Sequence, residues 1–235
     1  MHREYGHWHS PRLGRKMEYL IFGSGGQPFL LFPTSMGRFY QYEDFSLVQA
    51  VSEKIDQGWI QLFCVDSVDA ESWYNRAVPP PARAGRHNQY ESYLLFEFLP
   101  FIRSANPGPL AVAGCSFGAY HAANIAFKHP QRFSRVIAIS GKYELHNLAD
   151  GYFDQDFYFN SPLDFLPNLN DPFYLDPMRA LNVVLLSGDQ SDICFNSTLE
   201  LSRVLNQKGI RHTLDIWPGS VHDWPVWRQM ASKHF

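Results

Sequence analysis

The chain has 235 residues, enough for one α/β domain but not for a large second one. It is 45% hydrophobic and 18% charged with a formal net charge of −3, so it can build a sizeable core but offers no electrostatic case for nucleic acid or a membrane surface. Three cysteines imply no disulfide framework, and neither an apolar N-terminal run nor a run of membrane-span length is present, so a soluble cytoplasmic protein is expected.

In chain order, residues 15–22 are predicted as a strand, followed by a Gly-rich turn. Phe29 to Phe32 is a continuous apolar run, as in a strand buried on both faces. The loop Pro33-Thr34-Ser35-Met36-Gly37 leads to a helical stretch over 44–57, and a second buried strand spans 59–65. Residues 66–87 read as a long loop, and 88–104 as a helix ending before Pro107-Gly108-Pro109. A strand at 110–113, a helix at 117–129 and a strand at 136–139 come next. An aromatic-rich irregular insert at 142–180 precedes a strand at 181–186, a helix at 196–207, a strand at 212–217 and a final helix from about 222. Alternating strands and helices predict a mostly parallel central sheet with helices on both faces, within a single domain over 1–235. Sites in such sheets lie beyond the carboxyl ends of the strands.

Gly114-Cys115-Ser116-Phe117-Gly118 fits G-x-S-x-G, a turn that exposes a nucleophilic serine between a strand and a helix. Chance supplies about 0.1 such matches in a chain of this length, so the setting decides. Leu110 to Ala113 runs straight into the motif and an alanine-rich helix runs straight out. Ser116 is therefore the candidate nucleophile, with Cys115 packed beneath it. His222, after the last strand, is the candidate general base. The acid is sought after the strand at 181–186, where Asp192 is favoured and Asp189 is the alternative; Asp223 is too close in sequence to reach the ring of His222. Two N–H donors are needed for a developing oxyanion. Phe117 supplies one, and Ser35 or Met36 the other. His7 and His9 share a face of an extended segment, but no third ligand is spaced to join them, so no metal is expected, nor any cofactor.

These residues resemble the esterase D / feruloyl esterase group of α/β-hydrolases, which includes S-formylglutathione hydrolases and mycolyltransferases. The resemblance covers most of the chain. It starts at Ser10-Pro11-Arg12-Leu13-Gly14-Arg15, similar to the family's opening S-x-x-L-G-R, and continues through the 33–37 loop, Gly114–Gly118, Ser140-Gly141, the acid loop and His222. It implies an α/β-hydrolase fold and the triad Ser116, Asp192 and His222. The family's usual His-Gly before the oxyanion loop is replaced by Pro33-Thr34.

The expected activity is that of a serine carboxylic-ester hydrolase acting through an acyl-enzyme on a small-molecule ester. An acyltransferase or peptidase on the same triad, or a non-catalytic binding protein on the same fold, are the rival readings. Trp73, Tyr74 and Trp224 are the candidate substrate-binding residues. The insert, with Tyr143, Tyr152, Phe153, Phe157, Tyr158, Phe159, Phe165, Phe173 and Tyr174, is either a lid or acyl pocket, or a small core of its own.

Overall fold

The structure, a computed structural model, describes residues 1–190 and 192–235; the side chain of Asp192 also lies outside the described residues. Its strands are β1 (Arg3–Ser10), β2 (Arg15–Phe22), β3 (Gln27–Phe32), β4 (Ile60–Val65), β5 (Ala111–Cys115), β6 (Arg135–Ile139), β7 (Asn182–Gly188) and β8 (His212–Trp217). They form one sheet in the order β1-β2-β4-β3-β5-β6-β7-β8. The ladders from β4 to β8 are parallel, while β1 and β2 join antiparallel at one edge. The chain leaves β3 toward β4 on one side and later returns to β5 on the other. The crevice between the carboxyl ends of β3 and β5 is thus the switch point at which α/β sheets bind ligands.

The central strands alternate between two cores. Leu30, Phe32 and Val112 pack on one face; Phe29, Leu31, Ala111, Ala113 and Cys115 pack on the other. Burial on both faces is why these strands read as unbroken apolar runs. Helices α1 (Gln41–Asp44), α2 (Leu47–Ala50) and α3 (Ser52–Asp56) link β3 to β4. Helices α4 (Pro80–Tyr93) and α5 (Leu99–Ala105) precede β5, and α6 (Phe117–Lys128) follows it. The insert carries α7 (Gln155–Phe159), α8 (Pro162–Phe165) and α9 (Pro172–Ala180); α10 (Asp192–Gln207) and α11 (Trp224–His234) flank β8. Among the described residues no helix is long and apolar enough to cross a membrane.

Three local expectations change. The N-terminal strand β1 escapes prediction because it is an edge strand, mostly exposed, with no apolar alternation; His7 and His9 lie on it opposite Glu18 and Lys16. The helix expected at 44–57 is three short ones, broken at Ser46, whose φ of 59° is left-handed. The helix expected from residue 88 starts at Pro80, a favoured first-turn position. It passes through a π-helical turn at Leu94–Phe98 just before Pro100, which has no N–H to give the preceding turn.

Candidate active site

Strand β5 ends at Cys115 and α6 begins at Phe117, leaving Ser116 at φ 56° and ψ −121°. Such a conformation costs about 1–3 kcal/mol and persists only where the surroundings over-determine it. The two glycines of the motif show how. A Cβ on Gly114 would lie 2.3 Å from the Gly118 backbone, and one on Gly118 would lie 2.3 Å from Phe32 O. Only glycine lets helix, elbow and β3 approach this closely. The hydroxyl of Tyr42 donates to Phe32 O at 2.7 Å and accepts from the Cys115 N–H at 2.9 Å, tying the ends of β3 and β5 together. Cys115 is fully buried on the far face, and burial pushes its thiol up to about 12. A thiol in that state supplies no thiolate nucleophile.

The loop after β8 carries His222 to the serine, with Nε2 3.0 Å from Ser116 Oγ. The edge of one ring meets the face of the other where His222 packs on Trp227, 4.7 Å between centroids. Burial lowers the pKa of His222 below its ordinary 6.5, with Asp223 opposing that shift, so the imidazole favours its neutral, proton-accepting form. Its Nδ1 is buried and has no hydrogen-bond partner among the described residues.

The three acids of this region sit differently. Asp189 Oδ1 accepts from the Gly219 N–H at 2.8 Å and from the Gln190 side-chain amide at 2.9 Å. The Gln190 N–H donates to Ser220 O at 3.1 Å. Asp189 and Gln190 therefore fasten the loop that delivers His222. Asp223 caps α11 through the Trp224 N–H at 2.7 Å. Asp192 opens α10, directly after the loop that follows β7, and its side chain is outside the described residues.

The turn after β3 closes with the Gly37 N–H on Thr34 O at 2.8 Å and places Met36 at φ 53°. Ser35 Oγ and the Tyr74 hydroxyl share a hydrogen bond of 2.8 Å. A pocket of about 160 Å³ opens here. Ser35, Tyr74, Ser116 and Phe117 line it. So do Lys142, Glu144, Leu145, Asn147 and Leu148 of the insert, and Cys194 of α10. Larger open clefts of about 430 and 400 Å³ lie near the amino ends of β5–β6 and β7–β8, and neither is bordered by Ser116 or His222.

The fold thus brings together Ser116, His222, Phe117, Ser35 and Tyr74. Three other expected residues are not at the pocket wall. The N–H of Met36 donates to Asp69 Oδ2 at 3.1 Å. Trp73 is 1% exposed and packs with Phe117, Tyr120 and Phe157 beneath α6, because a large apolar ring gains most from full burial. Trp224 stacks on Phe45 at 4.5 Å and meets Tyr42 edge-on, among the helices on the other face of the sheet. The insert meets the pocket through its first seven residues, and none of its nine aromatics lines it. Tyr143 and Phe157 are core residues, while Phe159, Phe165 and Tyr174 border a separate apolar cleft of about 520 Å³ beside Phe127. Two features went unread in the sequence: the Tyr42 bridge, and a buried pair in which His121 Nε2 lies 2.9 Å from Asp69 Oδ1. Neither carries a local signal, since both join residues far apart in the chain.

A mostly parallel eight-stranded sheet, with a serine on a strained strand–helix turn and a histidine against it, is the architecture of the α/β-hydrolases. The model of the family described as "Putative esterase" matches residues 10–233, so the chain belongs to that family and, with it, to the carboxylic ester hydrolases. No curated protein is a significant match to the chain. Solved structures of similar fold include a ferulic acid esterase, with 17% identity and a TM-score of 0.79 over 99% of this chain and 95% of that one. An S-formylglutathione hydrolase from Staphylococcus aureus has 17% identity and a TM-score of 0.68, covering 99% and 94%. Another from Agrobacterium tumefaciens has 13% identity and a TM-score of 0.75, covering 99% and 92%.

Proposed function

We propose that the protein is a serine esterase that hydrolyses small-molecule carboxylic esters through an acyl-enzyme. The observation that carries this reading is the 3.0 Å approach of His222 Nε2 to Ser116 Oγ at a strained elbow. Ser116 Oγ attacks the ester carbonyl carbon and its proton passes to His222 Nε2. The same proton leaves with the alcohol as the tetrahedral intermediate collapses. Water then attacks the acyl-enzyme, with His222 again the base. Asp192 is the acid proposed for the Nδ1–H of His222, an atom that is buried and lacks another partner among the described residues. Phe117, as the first residue of α6, has an N–H with no acceptor in its own helix, and it is proposed as one oxyanion donor. The turn after β3 gives the other. A pocket of about 160 Å³ favours short acyl groups over long chains.

The test is fluorophosphonate labelling together with turnover of p-nitrophenyl esters of graded chain length. Ser116→Ala abolishes labelling and lowers kcat by about 10⁴-fold or more. Equal labelling of both proteins would end this reading.

A further inference from the structure

Asp69 is fully buried near the start of the loop after β4. Its two carboxylate oxygens are divided between two partners. Oδ1 is 2.9 Å from His121 Nε2, and Oδ2 accepts from the Met36 N–H at 3.1 Å. His121 is itself immobilised, 3% exposed on α6, with its ring edge-on to Phe117 at 4.9 Å and stacked on His87 at 5.5 Å. The Met36 N–H is thereby committed, whereas the Ser35 N–H has no acceptor among the described residues. Ser35 borders the pocket at Ser116, and Met36 is not among the residues lining it. Met36 also holds a left-handed φ of 53°, unfavourable by about 1–2 kcal/mol for a residue with a Cβ unless something fixes it.

From this geometry we infer that Asp69, anchored by His121, is a positioning residue that locks Met36 and presents Ser35 as the second oxyanion donor. The inference rests on the esterase reading and deepens it. Asp69 touches no reacting atom. It acts by withdrawing one N–H of the turn and orienting the turn so that another faces the serine.

The first test needs no mutation. Backbone amide shifts and exchange are followed in the intact protein before and after a fluorophosphonate modifies Ser116, which puts a phosphonyl oxygen at the oxyanion position. The amides of Ser35 and Phe117 shift and become protected; that of Met36 is protected from the start and stays unmoved. A Met36 amide that responds while Ser35 does not overturns the inference. The second test compares Asp69→Ser with Asp69→Asn. In Asp69→Ser, kcat and the phosphonylation rate fall together by about 10- to 100-fold with KM within about twofold. Asp69→Asn recovers most of the loss, since its carbonyl still accepts from Met36 and its amide donates to the other tautomer of His121. A folded Asp69→Ser protein with wild-type kcat also overturns the inference. Where that variant does not fold, the amide measurement decides. Labelling that is equal in wild type and Ser116→Ala sinks the esterase reading rather than the positioning.

Discussion

On the β3 side of Ser116, where the oxyanion donors are proposed, the turn after β3 is fastened at almost every residue. Gln41 Oε1 accepts from the Thr34 N–H at 2.8 Å, Tyr74 meets Ser35, Asp69 holds Met36, and Ser67 Oγ donates to Gly37 O at 2.8 Å. On the histidine side, one ring nitrogen reaches the serine, the other is buried with no partner among the described residues, and the loop is held from beneath by Asp189. The first flank is set by strands and buried hydrogen bonds. The second depends on a loop that Asp189 fastens, with Asp192 the acid proposed to complete it. Rigid placement of donors costs nothing at the moment of reaction, while a base on a loop needs its own orienting partner.

The largest expected effect separates those two acids. Asp192→Asn lowers kcat by about 10³- to 10⁴-fold, because the imidazole loses the carboxylate proposed to select its tautomer and support its charge. Asp189→Asn lowers it by about tenfold or less, since an amide oxygen still accepts from Gly219. Steady-state kinetics on p-nitrophenyl acetate reads both, and a reversal would move the catalytic acid to Asp189.

The braced flank is broken by Gly118→Ala. The added Cβ meets the Phe32 and Pro33 carbonyl oxygens at 2.3 and 2.6 Å, both backbone atoms that cannot move aside alone. Urea denaturation is expected to register a loss of more than about 4 kcal/mol, or no folded protein at all. A loss below about 1 kcal/mol would show that the helix can lift off the sheet.

Two tryptophans sharpen the comparison at smaller scale. Trp73→Ala empties a buried site and costs about 3–5 kcal/mol of stability, read by denaturation. Trp224→Ala changes kcat/KM by less than about threefold, because its stacking partner is Phe45 rather than the pocket wall. A larger kinetic loss would return Trp224 to the substrate site.

The smallest effect concerns pH. Burial depresses the pKa of His222 in the folded protein. Protonation removes its ability to accept the serine proton, so activity is lost as pH falls through that lowered value, and the acid limb of kcat/KM lies below the ordinary 6.5 of histidine. Asp223 raises the pKa of His222, so Asp223→Asn shifts the limb further toward acid while still capping α11. A limb that moves toward neutral pH would contradict this electrostatic account.

The elbow was legible because its chemistry demands particular residues at particular places: glycines where backbones touch, and a serine and a histidine after defined strands. The α/β-hydrolase sheet was legible for the same reason that its strands are apolar throughout, being buried on both faces. Trp73 misled because an aromatic residue in a polar loop reads as a contact for substrate, while its burial under α6 depends on elements far away in the chain. For the aromatic insert the structure favours the core reading over the acyl pocket: Tyr143 and Phe157 are buried, and the pocket is lined by Lys142, Glu144, Leu145, Asn147 and Leu148 rather than by the rings. Position along the loop favours Asp192 over Asp189 without excluding the latter, since both follow one strand by a few residues. The Asp69–His121 pair spans 52 positions, and only the order of strands in the sheet brings it together.

The contact of Gly114 with Gly118, and of Gly118 with β3, has a practical corollary for protein engineering. Because no side chain intervenes between the helix after Ser116 and the strand that leads into the 33–37 turn, these parts can be transplanted or redesigned only as one block. Of the other residues lining the pocket, Lys142, Glu144, Asn147 and Cys194 belong to other segments and can be randomised in libraries, whereas Leu145 and Leu148 are packed with Phe117 and Tyr120 of that block and are kept. Reactivity and selectivity are therefore separable targets in this scaffold.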